Sequence, residues 1–291
     1  MKKRVLTIVG CMLLVALMAS MFCVFVACNG SEGANKQYVE TRTKQITVGV
    51  TNAAPMNYKD SKGQWAGFDT ELTVTVFNAL GYEVMFKEID WSNKYVELSS
   101  GTIDCIWNGF TANCSDTIGG VTKERSEIVN MSYNYMLNEQ CVVRNKSVSF
   151  TDETSFDRKI IAFENGSAGE TGVGWLEEDY TDISFMKKGL KSQSDALIQL
   201  NSGNVDFAVV DKSLAEAAVA GGYNNIVIVD NFDYFELEYY AIGFRKDAEG
   251  AALRDKVNVL LDAFFRIGYL KTLAEKYNID YENRIQSVFV A

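Results

Sequence analysis

No histidine occurs anywhere in this 291-residue chain. That absence removes the commonest general base and the commonest metal ligand. Serine–histidine and cysteine–histidine nucleophilic catalysis are excluded outright. The cysteines show no Cys-x-x-Cys spacing. What remains are charged groups suited to holding a ligand. Arg125 lies in the run Lys123-Glu124-Arg125-Ser126-Glu127. It is either one of many surface arginines or a planar bidentate donor to a carboxylate. Asp211 precedes a helical pattern that begins at Lys212. It is either a helix cap or an anion facing a cation. The stretch Glu164–Gly169 contains Gly166 and opens a helical pattern, so its N–H groups and dipole end would favour an anion.

The elements around these residues alternate. Ile46, Val48 and Val50 alternate as a strand. Asp69 stands where a cap would start a helix carrying Leu72, Val76 and Leu80, which Gly81 stops. Tyr82, Val84 and Phe86 form a second strand, Lys94–Ser99 a short helix, and Ile103–Trp107 a third strand. That order is the pattern of a parallel sheet covered by helices. It recurs with strands at Lys159–Phe163, Ile183–Met186, Phe207–Val210 and Ile226–Val229, and helices at Ser194–Leu200 and Lys212–Ala220. Leu98-Ser99-Ser100-Gly101-Thr102-Ile103-Asp104 aligns with Leu200-Asn201-Ser202-Gly203-Asn204-Val205-Asp206. In that register Gly109 falls opposite Asp211, each at the carboxyl end of its strand. Ligands of open α/β sheets bind beyond those ends. The tail is helical, through Ala251–Ile267 and Lys271–Lys276.

The N-terminus sets the compartment. Lys2, Lys3 and Arg4 precede an apolar run from Val5 to Ala27, and Cys28 follows directly. A basic start, an apolar centre and a small residue before the cut form a secretory signal. Phe25-Val26-Ala27-Cys28 resembles a bacterial lipobox, with Phe25 in place of the usual leucine. It implies cleavage before Cys28 and a lipid on its thiol. The alternative is an uncleaved anchor, since about 20 apolar residues can span a bilayer. Residues 28–44 then read as a flexible tether. Removing residues 1–27 takes away three positive charges and no negative ones, so the net charge goes from −10 to −13. So acidic a chain is a poor partner for nucleic acid. Cys105, Cys114 and Cys141 allow at most one disulfide; no spacing rule settles whether Cys105 and Cys141 pair.

From about residue 45 to 280 the chain resembles the extracellular solute-binding proteins of ABC importers, in particular the polar amino-acid-binding family. The markers are Val48–Met56, Gly67–Leu72, Asp90-Trp91, Leu98–Thr111, Thr122–Arg125, Gly166–Glu170, Val205–Asp211 and Tyr239–Arg245. The resemblance implies a type II periplasmic-binding-protein-like α/β fold. Each lobe is a mostly parallel sheet flanked by helices, and two hinge strands cross near Met136–Gln140 and Leu237–Tyr240. Lobe 1 would comprise 45–137 and 239–291, and lobe 2 138–238. It also implies site roles. Arg125 would hold the carboxylate of an amino acid, helped by Thr111, Thr122, Ser167 and Ala168. Asp211 and the Gly109 carbonyl would hold the ammonium. Trp91 would stack on the side chain, and Asn52 and Glu164 would set selectivity. One departure is a probable insertion, Ala112–Val121, just before Thr122. The implied protein is a lipid-anchored monomeric receptor delivering a polar amino acid to an ABC permease, with no cofactor or metal. The alternatives are a dehydratase of cyclic acids on the same fold, with Glu164 or Glu170 as its acid, and a sensory module for a separate signalling partner.

Overall fold

The computed structural model describes residues 44–230 and 232–290. The signal segment 1–27, Cys28 and all of the tether except Lys44 lie outside the described residues. Strand β1 (Lys44–Val50) opens the fold and buries Ile46, Val48 and Val50. A short hairpin, β2 (Tyr58–Lys59) and β3 (Trp65–Ala66), leads into the helix Phe68–Ala79. Asp69 does not cap that helix. Gly67 is the N-cap at φ 124°, and Asp69 is turned inward and fully buried. Strand β4 (Tyr82–Glu88) then pairs parallel with β1, and the helix Lys94–Ser99 leads to β5 (Cys105–Thr111) on its other side. This strand starts and ends later than the hydrophobic pattern predicts, because every residue from Cys105 to Thr111 is buried, polar Asn108 and Thr111 included.

The inserted segment is a hairpin, β6 (Ser115–Ile118) with β7 (Val121–Glu124). Gly119 and Gly120 join them at φ 59° and 80°. Two successive residues at positive φ are what a tight two-residue hairpin turn demands. Strand β8 (Asn130–Met131) follows, then β9 (Met136–Asn145).

The second half repeats the plan. Strands β10 (Ile160–Glu164), β11 (Met186–Leu190) and β12 (Phe207–Asp211) are parallel, with the helices Ala168–Asp179, Gln193–Asn201 and Lys212–Ala220 between and after them. Strand β11 falls a few residues later than the apolar pattern Ile183–Met186 predicts. Strand β13 (Ile226–Ile228) pairs with β9, and β14 (Leu237–Phe244) returns the chain to the first half. The helices Ala248–Arg266 and Tyr269–Lys276 close it.

All the main strands belong to one sheet, ordered β11-β10-β12-β9-β14-β5-β1-β4. Strands β9 and β14 are antiparallel to each other through Met136↔Tyr240 to Glu139↔Leu237, and each also pairs antiparallel with the parallel strands of one half. This is the two-lobed arrangement with two connecting strands. Separate apolar clusters fill the two lobes, one around Phe77, Trp107 and Tyr240, another around Phe156, Phe163 and Phe207. Ala53 of the first lobe packs into a cluster of the second. Ser194 Oγ donates to the Asn52 carbonyl at 2.6 Å, and Arg284 meets Glu216 at 3.0 Å. The lobes are therefore in contact across the cleft. Cys105, Cys114 and Cys141 are buried, unpaired thiols. Among the described residues no helix is long and apolar enough to cross a membrane.

Candidate functional site

The carboxyl ends of β5 and β12 face each other across the cleft and close on a small cavity. Trp91, Asn108, Gly109, Thr111 and Arg125 line it from one lobe. Glu164, Ser167, Ala168, Gln193 and Asp211 line it from the other. Its volume is about 10 Å³, room for about one water. The lobes must part to admit anything larger. Eight of the ten expected ligand residues meet here. Asn52 and Thr122 do not. Asn52 is exposed and contributes its carbonyl to the contact with Ser194. Thr122 is exposed in β7, paired with Thr117 at 2.9 Å, because the insertion carries it out along the hairpin.

Gly109 sits at φ 58°, where a Cβ would come within 2.9 Å of the Tyr240 ring. Its N–H donates to Asp69 Oδ2 at 3.0 Å, and Tyr135 donates to the same oxygen at 2.9 Å. This explains the burial of Asp69: it holds the end of β5. Burial pushes its carboxyl up to about 7, against the pull of Tyr135 and Gly109. Trp91 packs edge-on against Phe110, with ring centroids 6.0 Å apart, and so serves both the core and the cavity wall.

Arg125 is 1% exposed and already engaged. Its Nε donates to Asp116 Oδ2 at 2.9 Å and its Nη2 to Asp116 Oδ1 at 3.3 Å. Nη1 donates to the Thr111 carbonyl at 3.1 Å and Nη2 to the Gly166 carbonyl at 3.4 Å. Asp116 belongs to β6 of the inserted hairpin. Lys94, also buried, lies 3.5 Å from Asp116 and donates to the Gly166 carbonyl at 2.8 Å. Burial, then the charge of Arg125, lowers the Lys94 pKa to about 8. Burial alone would raise Asp116, but Arg125 and Lys94 outweigh it and hold its carboxyl low. The glycine loop therefore turns a carbonyl, not an N–H, toward these cations. The Gly166 N–H donates to Glu170 Oε2, and the Glu170 N–H donates to Ser167 Oγ, the N-cap of the helix Ala168–Asp179.

The opposite end is acidic. Asp211 makes no side-chain cap for the helix Lys212–Ala220. Its Oδ1 accepts from Asn138 at 3.0 Å and Gln140 at 2.5 Å, and its Oδ2 from Gln193 at 2.8 Å. Glu238 Oε2 accepts from Asn138 and Gln140, both at 3.0 Å, and from Thr111 at 3.2 Å. Burial, then the charge of Asp211, raises Glu238 to about 7. Burial, then Asp211, raises Glu164 well above the usual carboxylate range. Among the described residues Glu164 Oε1, Gln140 Oε1 and Asn138 Oδ1 are buried acceptors with no donor. Lys94, Asp116, Asn138, Gln140, Gln193 and Glu238 were absent from the expected set. Asn138 and Gln140 had a signal: polar residues two apart on one face of a buried strand.

A cleft between two α/β lobes, with one cationic and one acidic wall, defines a class of receptor that closes on a small molecule. Residues 46–280 match the family "bacterial extracellular solute-binding proteins, family 3", and the chain belongs to that family. It is 27% identical over 265 residues to the probable amino-acid-binding protein YxeM of Bacillus subtilis (strain 168), covering 90% of this chain and 93% of that one. It is 26% identical over 280 residues to the arginine-binding extracellular protein ArtP of the same organism, covering 95% and 98%. Among solved structures, the substrate-binding protein of an ABC uptake transporter from Streptococcus pneumoniae, with bound histidine, superposes with a TM-score of 0.68 at 30% identity, covering 80% of this chain and 92% of that one. An ancestral arginine-binding protein bound to arginine gives 0.69 at 28%, covering 80% and 97%.

Proposed function

We propose that this chain is a membrane-tethered receptor that captures a polar amino acid between its lobes and hands it to an ABC permease. Cys28 carries the lipid, and residues 28–44 are the tether. Lobe 1 is 45–137 with 239–291 and lobe 2 is 138–238. The observation that carries the reading is the cavity itself, walled by Arg125 and Thr111 from one lobe and by Glu164 and Asp211 from the other. A ligand held by both walls binds the closed form better than the open one. Only such differential affinity can drive closure. Asp211 and Glu164 take the ammonium. The Arg125 side takes the carboxylate once Asp116 gives way, and Trp91 borders the side chain. Relatives named for arginine and histidine support a cationic or polar side chain.

A thermal-shift screen of the protein against the common amino acids, cystine and small carboxylic acids tests this. A large rise in Tm with one or a few amino acids is expected, because a ligand that binds only the native state stabilises it. A rise with a non-amino acid alone would overturn the assignment of Asp211 and bring the dehydratase reading forward, with buried Glu164 as its acid.

A further inference from the structure

Resting on that reading of the cleft, we propose that Glu238 is a positioning residue that links capture of the ligand to release of a proton it shares with Asp211. Glu238 lies on β14, one of the two strands that cross between the lobes, and is 8% exposed. Asp211 lines the ligand cavity and Glu238 does not. The two carboxylates hang on the same two amides. Asn138 Nδ2 donates to Asp211 Oδ1 and to Glu238 Oε2, both at 3.0 Å. Gln140 Nε2 donates to the same two oxygens at 2.5 and 3.0 Å. A side-chain amide has two N–H groups, so both amides are fully spent, and their own oxygens have no donor among the described residues. Thr111, from the opposite wall of the cavity, donates to the same Glu238 oxygen at 3.2 Å. Glu238 therefore touches groups tied to both walls. The cations around the cleft pair elsewhere, Lys212 with Glu139, and Arg125 and Lys94 with Asp116. Two like charges that share buried donors cannot both ionise cheaply, and the pair titrates as a unit.

The charges facing Glu238 set the direction. Burial, then Asp211, holds its proton on, while Gln140, Asn138 and, least, Arg125 pull it off. Tyr240 and Cys114 also face it, and burial keeps both in their neutral forms. A ligand ammonium set against Asp211 offsets the charge that raises Glu238, and so favours the ionised pair. The ligand's carboxylate acts in the opposite sense through Arg125, but Arg125 pulls on Glu238 less than Asp211 pushes. The balance is release. A second cavity, of about 30 Å³, gives the proton an exit. Gln140 and Glu238 line it together with exposed Trp175 and Leu237, so it reaches the surface outside the ligand cavity, and the proton passes to solvent there. Below the pH at which the pair ionises, binding must expel the proton; above it, the proton has already gone. Affinity therefore rises with pH.

Isothermal titration of the intact protein near pH 6.5, in two buffers of different ionisation enthalpy, counts the protons exchanged. The probe is whichever of L-arginine, L-lysine, L-glutamine, L-histidine and L-cystine binds most tightly. Wild type is expected to release about 0.3 to 1 proton per ligand and to gain at least about threefold in affinity from about pH 5.5 to about pH 7.5. Glu164 lines the cavity and also holds a proton, through burial and then Asp211, so the comparison with Glu238→Gln decides. That variant keeps the side-chain volume and cannot ionise. It is expected to lose at least about half of the release and about half of the pH slope. A purely structural role for Glu238 would weaken binding at every pH and leave the count unchanged. An equal count in the two proteins, or no release in wild type, overturns the proposal and leaves the receptor reading intact. Binding of none of these amino acids overturns it as well, and the thermal-shift screen then judges that reading separately. Should the variant not fold, the carboxyl carbon-13 chemical shift of Glu238 in wild type decides: it must titrate near neutral pH and move to the ionised position when the amino acid is added, and a shift that does neither overturns the proposal.

Discussion

The two walls of the cleft were built from the same repeat and treated oppositely. In lobe 1 the turn through Gly101, at φ 74°, delivers Asp104, whose Oδ2 accepts the Thr47 N–H at 2.8 Å. In lobe 2 the turn through Gly203, at φ 75°, delivers Asp206, whose Oδ2 accepts the Ile160 N–H at 2.9 Å. In each lobe the aspartate ties the incoming strand to the edge of its parallel neighbour. The walls part company at the far ends of those strands. Beyond β5 the cations Arg125 and Lys94 share Asp116 of the hairpin as their ion-pair partner. At the end of β12 Asp211 joins Glu164 and Glu238 beside Asn138 and Gln140, whose side-chain oxygens have no donor among the described residues. The lesson is that one wall pairs its charges within its own chain, while the other keeps buried acceptors that have no donor among the described residues.

The largest effect should come from opening the satisfied wall. Arg125→Ala takes from buried Asp116 its two-pronged partner, leaving it Lys94 and Tyr95, and removes a donor from the Thr111 and Gly166 carbonyls; breaking such a pair costs up to about 3–5 kcal/mol. Chemical denaturation should show that loss, and the double variant Arg125→Ala, Asp116→Ala should recover much of it. Arg125→Ala would then weaken binding through the fold as well as the site. Equal stability in the single and double variants would mean that the pair is not coupled.

The acidic side should announce itself through pH. Asp69 and Glu238 are raised to about 7 by burial. For a carboxyl raised in the folded state, the native protein holds the proton more tightly than the unfolded chain does. The stabilisation is complete below the unfolded pKa near 4 and is lost as pH rises through about 7. The Tm of ligand-free protein should therefore fall between about pH 4 and 7. The effect is on the order of 1–4 kcal/mol per group, since each pKa unit is worth about 1.4 kcal/mol. Asp69→Asn should flatten this slope, and a slope unaffected by it would place the titration elsewhere.

Gly109→Ala tests the difference between the matched strand ends. It forces a Cβ into the Tyr240 ring at positive φ, and a loss of about 1–3 kcal/mol is expected in thermal melts. Ala at Gly109 with unchanged Tm would show that the strand end is loose. Thr122→Ala should do least. It removes one surface contact with Thr117, worth within about 0.5 kcal/mol, and ligand affinity in titration should not change.

Much of the fold could be read along the chain because its signals are local. The alternation at Ile46–Val50, the repeat ending in Asp104 and Asp206, and the helix starting at Lys212 are properties of neighbouring residues, and the structure keeps them. The apolar pattern predicts strand β11 too early because Ile183 and Phe185 pack outside the strand, in one cluster with Phe156 and Tyr180. The spacing of Asp69 from its helix fits a cap, and nothing local shows that the Gly109 N–H and Tyr135 wait for it. Asp211 was named for its position at a strand end. Its lack of a capping bond follows from amides on β9 and the helix Gln193–Asn201, far away in sequence.

By itself, then, the sequence determined the chemistry available: no imidazole, an acidic balance, a basic-apolar-cysteine N-terminus, and two α/β halves whose strand ends carry Gly109 and Asp211. Only the tertiary structure decided which charges meet. Asp116 reaches Arg125 because a two-glycine turn folds the insertion back over the cleft. Glu164 Oε1 has no donor among the described residues, while the side-chain N–H groups of Asn138, Gln140 and Gln193 go to Asp211 and Glu238. Pairing of buried charges is set by distances between segments remote in the chain, and no local pattern encodes those.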